Sequence, residues 1–362
     1  MPDTDHFAEN TNIESRLVFG KHLDAQINLS VVIPTYKRID LLRKCLKAIL
    51  EQEHSKINIK YEVVVVSNDP EFNCKGLALD LDPEVFRIYV NEGNLGMCGN
   101  MNRCAAAAHG DYIAYIQDDD VLLPNYFNVI FRLIDEKKLD SIDWLIPNRY
   151  YLMPQEEKQS QFGKKAMRNM KIKRAIGGVL RLGRPVPELQ RITPYETLIT
   201  TYPFYAGGPT CGMVFKRATL LESGGFDSNY PYGFDYTFFI DFAKTHTVVL
   251  YNRYLSIYMT SDSASNKPEV QYDFFRARFH ALEKMSEEYG ISDGLKKIIH
   301  YVTYSGYPRE TQGMVAKKFS LEPTSPIVCR AYLLWARLKT YRSGGYRRKA
   351  CPAKFLRWYN EL

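Results

Sequence analysis

Four short apolar segments in the first third of the chain alternate with segments of helical spacing. The four are continuous β-branched or aromatic runs at residues 29–34, 61–66, 86–90 and 111–116. Such runs are typical of strands that are buried on both faces. Apolar side chains recur three or four residues apart in segments 39–50, 97–108 and 125–137. This alternation predicts an α/β fold with a mostly parallel central sheet flanked by helices.

The alternation stops after residue 147. Downstream the sequence is first basic and weakly periodic, then rich in Gly and Pro, and mainly helical in pattern from about residue 268. We therefore predict a loose lead-in, a two-part α/β domain and a basic helical C-terminal region. Their boundaries are 1–28, 29–265 (with parts 29–147 and 148–265) and 266–362.

Polar side chains follow each of the four predicted strands. The clusters are Thr35-Tyr36-Lys37-Arg38, Ser67-Asn68-Asp69, Asn91 to Asn94 and Gln117-Asp118-Asp119-Asp120. In parallel α/β sheets, ligands bind beyond the carboxyl ends of the strands. We therefore expect these four clusters to surround one ligand site.

The triplet Asp118-Asp119-Asp120 is the main candidate for chemistry. Adjacent carboxylates repel one another and raise each other's pKa, and a divalent cation relieves that repulsion. Carboxylate oxygens suit Mg²⁺ or Mn²⁺, which typically bridge protein carboxylates and substrate phosphates. A solvated acidic turn is the alternative, but the position directly after a predicted strand favours a metal site. We predict Asp118 and Asp120 as the metal ligands.

The net charge of +7 is concentrated in two segments. Residues 329–362 contain nine Lys or Arg and one Glu, a net +8, which leaves −1 for the remainder. Residues 164–187 contain eight Lys or Arg and no acidic residue. Concentrated basic charge indicates an anionic surface, such as phospholipid, a lipid-linked phosphate or nucleic acid.

Within the C-terminal region, an apolar stripe recurs at helical spacing beside basic residues. Its members are Ile327, Ala331, Leu334, Trp335 and Leu338. A basic amphipathic segment with Trp is typical of a helix that lies on an anionic membrane surface. The alternative is that the stripe packs on the α/β domain while the charges are solvated. The chain has no run of 18 apolar residues, and its seven cysteines are scattered without a CxxC pair. We expect a cytoplasmic protein, with a peripheral position on the inner face of the cell membrane.

Three segments of the first part carry a family resemblance. They are SVVIPTYKRIDLLRKCL, YEVVVVSND and NEGNLGMCGNMNRCAAAAHGDYIAYIQDDDVLLP. Together they resemble the nucleotide-sugar-binding half of the inverting family-two glycosyltransferases, whose fold is the Rossmann-like GT-A fold. The acidic triplet resembles the DxD metal motif of that family. The resemblance implies a donor site formed by Pro34, Thr35, Tyr36, Arg38, Asn68, Asp69, Asn94, Gly96, Asn102, Gln117, Asp118 and Asp119.

The resemblance resumes over residues 205–262. The segment GGPTCGMVFKRATLLESGGFD resembles the acceptor side of the family, and GFDYTFFIDF is similar to the Glu-Asp motif that opens a helix and supplies the catalytic base. The resemblance therefore implies Asp235 as the base. A helix N-cap at the same position is the structural alternative, and both roles are compatible.

The chain departs from the family pattern at four places. Ser67-Asn68-Asp69-Pro70 stands where Asp-Asp-Gly-Ser is usual, which weakens any prediction of the donor base. Gln117 stands where the first acidic residue of the DxD motif often lies, which would shift the metal ligands by one. Phe234 replaces a Glu, and Thr260 replaces a His that can ligate the metal. A metal would then have fewer protein ligands.

The resemblance implies a glycosyltransferase that uses Mn²⁺ or Mg²⁺ and a nucleotide-diphosphate sugar, with UDP-sugars favoured. The acceptor would be a hydroxyl of a glycan or lipid-linked glycan, attacked in one inverting displacement with a single base. Processive members carry Gln-x-x-Arg-Trp and membrane spans, and the sequence has neither. We therefore expect a non-processive enzyme of surface polysaccharide biosynthesis.

Other function classes stay open. A nucleotidyltransferase of related fold typically has a Gly-rich loop after the first strand, whereas PTYKR contains no Gly. A non-catalytic protein that binds nucleic acid or another polyanion would use the basic segments. No nucleic-acid-binding motif is present, so we expect no nucleic-acid partner. The retained Asp118, Asp120 and Asp235 argue against an inactive relative.

Overall fold

The computed structural model describes most of the chain. The described residues are 4–21, 26–53, 57–78, 80–152, 179, 185–204, 210–259, 267–343 and 349–362. Most of the basic segment 164–187 and Thr260 lie outside the described residues.

The strands of the described residues form one sheet. They are β1 (Ser15–Phe19), β2 (Leu29–Thr35), β3 (Tyr61–Ser67), β4 (Phe86–Asn91), β5 (Tyr112–Tyr115), β6 (Val121–Leu122), β7 (Trp144–Leu152), β8 (Leu189–Arg191), β9 (Met213–Lys216), β10 (Val248–Met259) and β11 (Lys349–Ala350). Their order is β1-β4-β3-β2-β5-β9-β7-β10-β6, with β11 beside β7 and β8 beside β10.

Helices cover the sheet and form most of the C-terminal region. They are α1 (Ile39–Leu50), α2 (Lys75–Ala78), α3 (Gly96–Ala107), α4 (Tyr126–Asp135), α5 (Pro194–Phe204), α6 (Arg217–Glu222), α7 (Phe234–Thr245), α8 (Pro268–Met285), α9 (Asp293–Ser305), α10 (Arg309–Ala316), α11 (Pro326–Ser343) and α12 (Ala353–Glu361). No helix among the described residues is long and apolar enough to cross a membrane.

The predicted parallel core is confirmed. Strands β4, β3, β2 and β5 are neighbours and run parallel. Side chains alternate between the two faces of β2: Val32 packs in the cluster that contains α3 and α7, and Val31 and Ile33 pack in the cluster that contains α1 and α4. Burial on both faces explains why these strands are continuous apolar runs.

The order of the parallel strands creates a crevice. From β2 the chain moves outward to β3 and β4, and it returns to β5 on the other side of β2. The carboxyl ends of β2 and β5 therefore flank the point where the winding direction reverses. In open α/β sheets, ligands bind at this position.

Seven of the eleven strands among the described residues were not predicted from the sequence patterns, and β1, β9 and β10 are the ones that change the picture most. Strand β1 pairs antiparallel with β4, so the predicted loose lead-in contains an edge strand. Strand β9 lies antiparallel between β5 and β7, and the twelve-residue strand β10 pairs with β7. β1 alternates half-buried and exposed positions over only five residues, and polar residues interrupt β10, so neither forms a continuous apolar run.

Candidate active site

The loop after β5 lies against the end of β2. The hydroxyl Oγ1 of Thr35 donates a hydrogen bond of 2.7 Å to Oδ2 of Asp118. Nη1 of Arg38 lies 2.9 Å from Oδ2 of Asp119 and 3.6 Å from Oδ1 of Asp118. The first and fourth predicted clusters therefore meet at the switch point, although they are separated by 83 residues in sequence.

The three aspartates have different environments. Burial raises the pKa of Asp118 to about 6, although Thr35 and Arg38 favour its charged form. The side chain of Asp119 is 24% exposed, whereas Asp120 is fully buried. Asp119 is thus the member of the triplet most open to a ligand.

The carboxylate of Asp120 is hydrogen-bonded to the backbone of β10. Its Oδ1 accepts a hydrogen bond of 2.9 Å from the backbone N–H of Met259, at the end of β10. Its Oδ2 has no partner of normal hydrogen-bond geometry, and the thiol of Cys211, a weak donor, lies beside the carboxyl group. Burial raises the pKa of Asp120 well above its usual range, and the charge of Asp119 adds to this effect. Asp120 therefore joins the acidic loop to β10.

The end of β3 is organised by amide side chains. Oδ1 of Asn68 accepts from Nδ2 of Asn91 and from the backbone N–H of Leu95. Nδ2 of Asn68 donates to Oδ1 of Asn94 and to the carbonyl of Gly96. All four hydrogen-bonding positions of the Asn68 amide are therefore used within the chain. Asn68 shapes the loop that begins α3, and the exposed Asn94 is presented by it.

Two predicted donor-site residues pair with other segments. Asn102 accepts from the N–H of Phe226 and donates to its carbonyl, so it joins α3 to the loop before α7. Nε2 of Gln117 donates to Oγ1 of Thr210 at 2.6 Å. The described contacts of these two side chains therefore connect the two halves of the predicted domain.

The remaining predicted donor-site residues lie along the same edge of the sheet. Pro34 is within buried β2, and Tyr36 directly follows β2 and is 43% exposed. Asp69 follows β3 and accepts a hydrogen bond from the N–H of Glu71. Gly96 starts α3 at a φ of 71°, a left-handed conformation that favours glycine.

Asp235 lies in the first turn of α7, and Gly233 occupies the N-cap position. Burial raises the pKa of Asp235 to about 6, and the nearby guanidinium groups of Arg278 and Arg149 favour its charged form. A carboxyl group with this pKa is largely ionised at pH 7 and still accepts a proton readily, as a general base requires.

Asp273 of α8 holds the chain just before this helix. Its Oδ2 accepts from the N–H of Tyr232 at 2.9 Å and from the N–H of Gly233 at 3.0 Å. A Cβ atom on Gly233 would lie only 2.5 Å from that of Ala277, so α8 packs directly on the start of α7. Asp273 and the glycine at position 233 thereby determine where α7 begins, and this sets the position of Asp235 in its first turn.

Arg149 is a buried cation that the sequence patterns did not predict. It is buried in β7, and its charge acts on both Asp120 and Asp235. An arginine inside the apolar segment WLIPNRYYL was the available sign, because a buried charge normally has a partner. Arg278 and Asp273 gave no such sign, because they lie on a helix with ordinary polar positions.

The C-terminal helix α12 packs near the acidic loop. Tyr359 lies under the ammonium group of Lys44, and burial raises its pKa, with a further contribution from Asp120 and Asp119. Nε1 of Trp358 donates to Glu51 at 2.9 Å. The end of the basic region is therefore part of the wall beside the predicted donor site.

The chain is similar in sequence to a glycosyltransferase family and to several curated proteins. Residues 30–188 match the family model described as "Glycosyl transferase family 2". The chain is 29% identical over 198 residues to the uncharacterized protein MT1568 of Mycobacterium tuberculosis, and 27% identical over 111 residues to the GalNAc(5)-diNAcBac-PP-undecaprenol beta-1,3-glucosyltransferase of Campylobacter jejuni. These matches cover 55% and 30% of this chain, and 56% and 35% of the relatives.

Solved structures have a similar fold. S. aureus TarS 1-349, solved in complex with UDP-GlcNAc, superposes with a TM-score of 0.51 at 14% identity. The superposition covers 89% of this chain and 90% of that one.

Proposed function

We propose that the chain, whose residues 30–188 match the family-two glycosyltransferase model and whose fold is GT-A-like, transfers one sugar from a nucleotide-diphosphate sugar to an acceptor hydroxyl. The family and the fold that the sequence predicted are confirmed. The observation that carries the proposed activity is the acidic loop at the switch point, where Asp118 and Asp119 meet Thr35 and Arg38.

The donor diphosphate would lie against Arg38 and the start of α3. Arg38 is 41% exposed and presents a guanidinium group suited to phosphate oxygens. The N-terminus of α3 adds backbone N–H groups that favour negative charge. TarS has been solved with UDP and with UDP-GlcNAc, which supports a UDP-sugar for this chain.

The acidic loop fits a divalent cation that has few protein ligands. Among the described residues no group of three His, Cys, Asp or Glu side chains is disposed to hold a metal. Mg²⁺ commonly binds through one or two carboxylates and completes its shell with water and substrate phosphates. We propose Asp118 and Asp119 as those carboxylates. Bound there, the ion would offset the charge that develops on the leaving diphosphate.

The earlier prediction of Asp120 as a ligand stays a prediction. Its unpaired Oδ2 is a possible ligand atom, but the residue is fully buried and its Oδ1 binds Met259. These contacts favour a role in which Asp120 holds the loop to β10.

Asp235 would act as the base in a single displacement. The acceptor oxygen forms a bond to the anomeric carbon as the bond from that carbon to the diphosphate oxygen breaks. The proton of the acceptor hydroxyl passes to the carboxylate of Asp235. Because only one displacement occurs, the anomeric configuration inverts. The undecaprenol-linked substrate in the name of the Campylobacter relative supports a lipid-linked glycan as acceptor.

The experiment is a donor screen. The protein is incubated with UDP-, GDP- and dTDP-sugars with Mn²⁺ or with EDTA, and release of the nucleoside diphosphate is measured. We expect one donor class to be consumed with Mn²⁺, and Asp118→Asn to lower the rate on the order of a hundredfold.

Asp111→Asn is the matched control, because the exposed Asp111 precedes β5 at the opposite end of the same strand. It should keep the normal rate. Donor consumption that is unaffected by EDTA would contradict the metal, and release of no nucleoside diphosphate from any donor would contradict the activity.

A further inference from the structure

Helix α11 is apolar on two opposite faces. One face packs on the protein: Tyr332 and Ala336 are buried, and the hydroxyl of Tyr332 donates to the carbonyl of Ile199 in α5. The other face contains the apolar stripe that the sequence analysis singled out, and it is exposed. Ile327 is 77% exposed, Leu334 58%, Trp335 44% and Leu338 40%. The stripe therefore does not pack on the α/β domain.

The exposed stripe is continuous along the helix. At 100° per residue, positions 327, 331, 334, 335 and 338 fall within a sector of about 100°. The buried positions 332 and 336 point away from this sector. Apolar side chains on both faces of a helix indicate that both faces are covered in use, because exposed apolar area is unfavourable in water.

Basic residues border the stripe on both sides. Arg330 and Arg337 lie on one border, and both are exposed. Lys339 lies on the other, with its Nζ 5.6 Å from the centre of the Trp335 ring. The segment 326–343 contains four Lys or Arg and no Asp or Glu. An apolar strip with Trp, bordered by cations only, complements a surface that is apolar inside and anionic outside.

We propose that this face of α11 is a docking surface for an anionic phospholipid bilayer. The helix lies in the headgroup region with its stripe in the acyl boundary and its arginines against lipid phosphates. A protein partner would normally bring acidic residues and a shaped pocket, whereas the stripe is a single straight row that fits a planar surface.

Docking would bring the acceptor side close to the membrane. The buried face of α11 contacts α5 and α9, and Tyr332 packs in the same buried cluster as Tyr236. Tyr236 directly follows the candidate base Asp235. A hydroxyl carried by a membrane lipid would therefore be presented near the site without a membrane-spanning helix.

The test measures membrane binding without donor or acceptor, so its failure is distinct from failure of the proposed function. The full chain is sedimented with vesicles of phosphatidylcholine alone and with vesicles that contain phosphatidylglycerol. We expect binding only to the anionic vesicles, released by salt. Brominated lipids should quench the fluorescence of Trp335, and Trp335→Phe should remove that quenching.

Two paired variants separate this surface from overall charge. Arg330→Gln with Arg337→Gln should lower the partition coefficient about 30-fold, the effect of two basic side chains at an anionic leaflet. Lys354→Gln with Arg357→Gln removes the same charge from exposed positions of α12 and should have little effect. All four positions are exposed, and thermal melting checks that the fold is retained.

Three results would overturn the proposal. The first is no binding to anionic vesicles, and the second is equal loss of binding in the two paired variants. The third is concentration-dependent self-association that Leu334→Ser abolishes while vesicle binding is unchanged, which would assign the stripe to a second copy of the chain.

Discussion

Replacement of Asp235 by Asn tests two things separately: its role as a catalytic base and the effect of its buried carboxyl group on stability. The amide keeps the shape of the side chain and its place in the first turn of α7, but it cannot take up the proton of the acceptor. A positioned general base usually contributes a factor of about 10²–10⁴. We therefore expect turnover to fall by that factor while the KM for the donor changes little.

The raised pKa gives the same variant an effect on stability. Burial raises the pKa of Asp235 from 3.8 to about 6, so the folded protein binds more protons than the unfolded chain between about pH 4 and pH 6. Stability from this group is therefore fully present below pH 4 and is lost as the pH rises through 6. A pKa difference of about two corresponds to about 3 kcal/mol at pH 7. This is an upper value, because the side chain is only partly buried.

Asn does not ionise, so the variant does not lose this stability as the pH rises. We therefore expect the unfolding free energy of Asp235→Asn, relative to that of wild type, to increase by up to about 3 kcal/mol between pH 4 and pH 7. Urea unfolding at both pH values measures the difference, and initial rates from pH 4.5 to 8 should show wild-type turnover rising with a midpoint near 6. Asp241→Asn is the control, because Asp241 lies on the same helix but is exposed and paired with Lys284.

Two results would refute this reasoning. Turnover of Asp235→Asn within threefold of wild type would leave the residue with a structural role only. A stability difference that does not change with pH would show that its carboxyl group has an ordinary pKa in the folded protein.

The remaining predictions concern two buried carboxylates, Asp273 and Glu62, and the groups that pair with them. Asp273→Ala removes the acceptor of two backbone N–H groups before α7, so we expect a loss of about 3 kcal/mol in unfolding free energy and lower turnover with an unchanged donor KM; an effect on stability alone would contradict a positioning role. Arg87→Met removes the guanidinium group that pairs with the fully buried Glu62 and leaves it only the weaker ionic partner His109, so we expect a loss of about 3–5 kcal/mol in urea unfolding. Restoration of stability by the added change Glu62→Leu would confirm the cause, and wild-type stability of Arg87→Met would contradict it.

The sequence determined the central part of the fold. Strands β2, β3 and β4 and helix α1 are within one residue of their predicted bounds. A strand buried on both faces must be apolar at every position, and a helix packed on a sheet must be apolar every three or four residues. These are local requirements, so they are visible in a local pattern. The edge strand β1 has neither pattern, because only one side of it is paired.

The sequence also indicated where the site would be, because polar side chains follow buried strands at the carboxyl edge of a parallel sheet. It did not indicate how those side chains are used. Asn68 and Asn102 were predicted to bind the donor, and the structure shows their amides hydrogen-bonded to other parts of the chain. An amide has the same sequence pattern whether its partner is a ligand or a backbone group.

Only the tertiary structure decided which distant residues meet. The strand order brings Thr35 to Asp118, the end of β10 brings the N–H of Met259 to Asp120, and the packing of α8 brings Asp273 to the start of α7. It also decided which face of α11 is buried, since both faces are apolar in the sequence. These outcomes depend on how whole elements pack against one another, and that information is distributed over the chain rather than contained in any one segment.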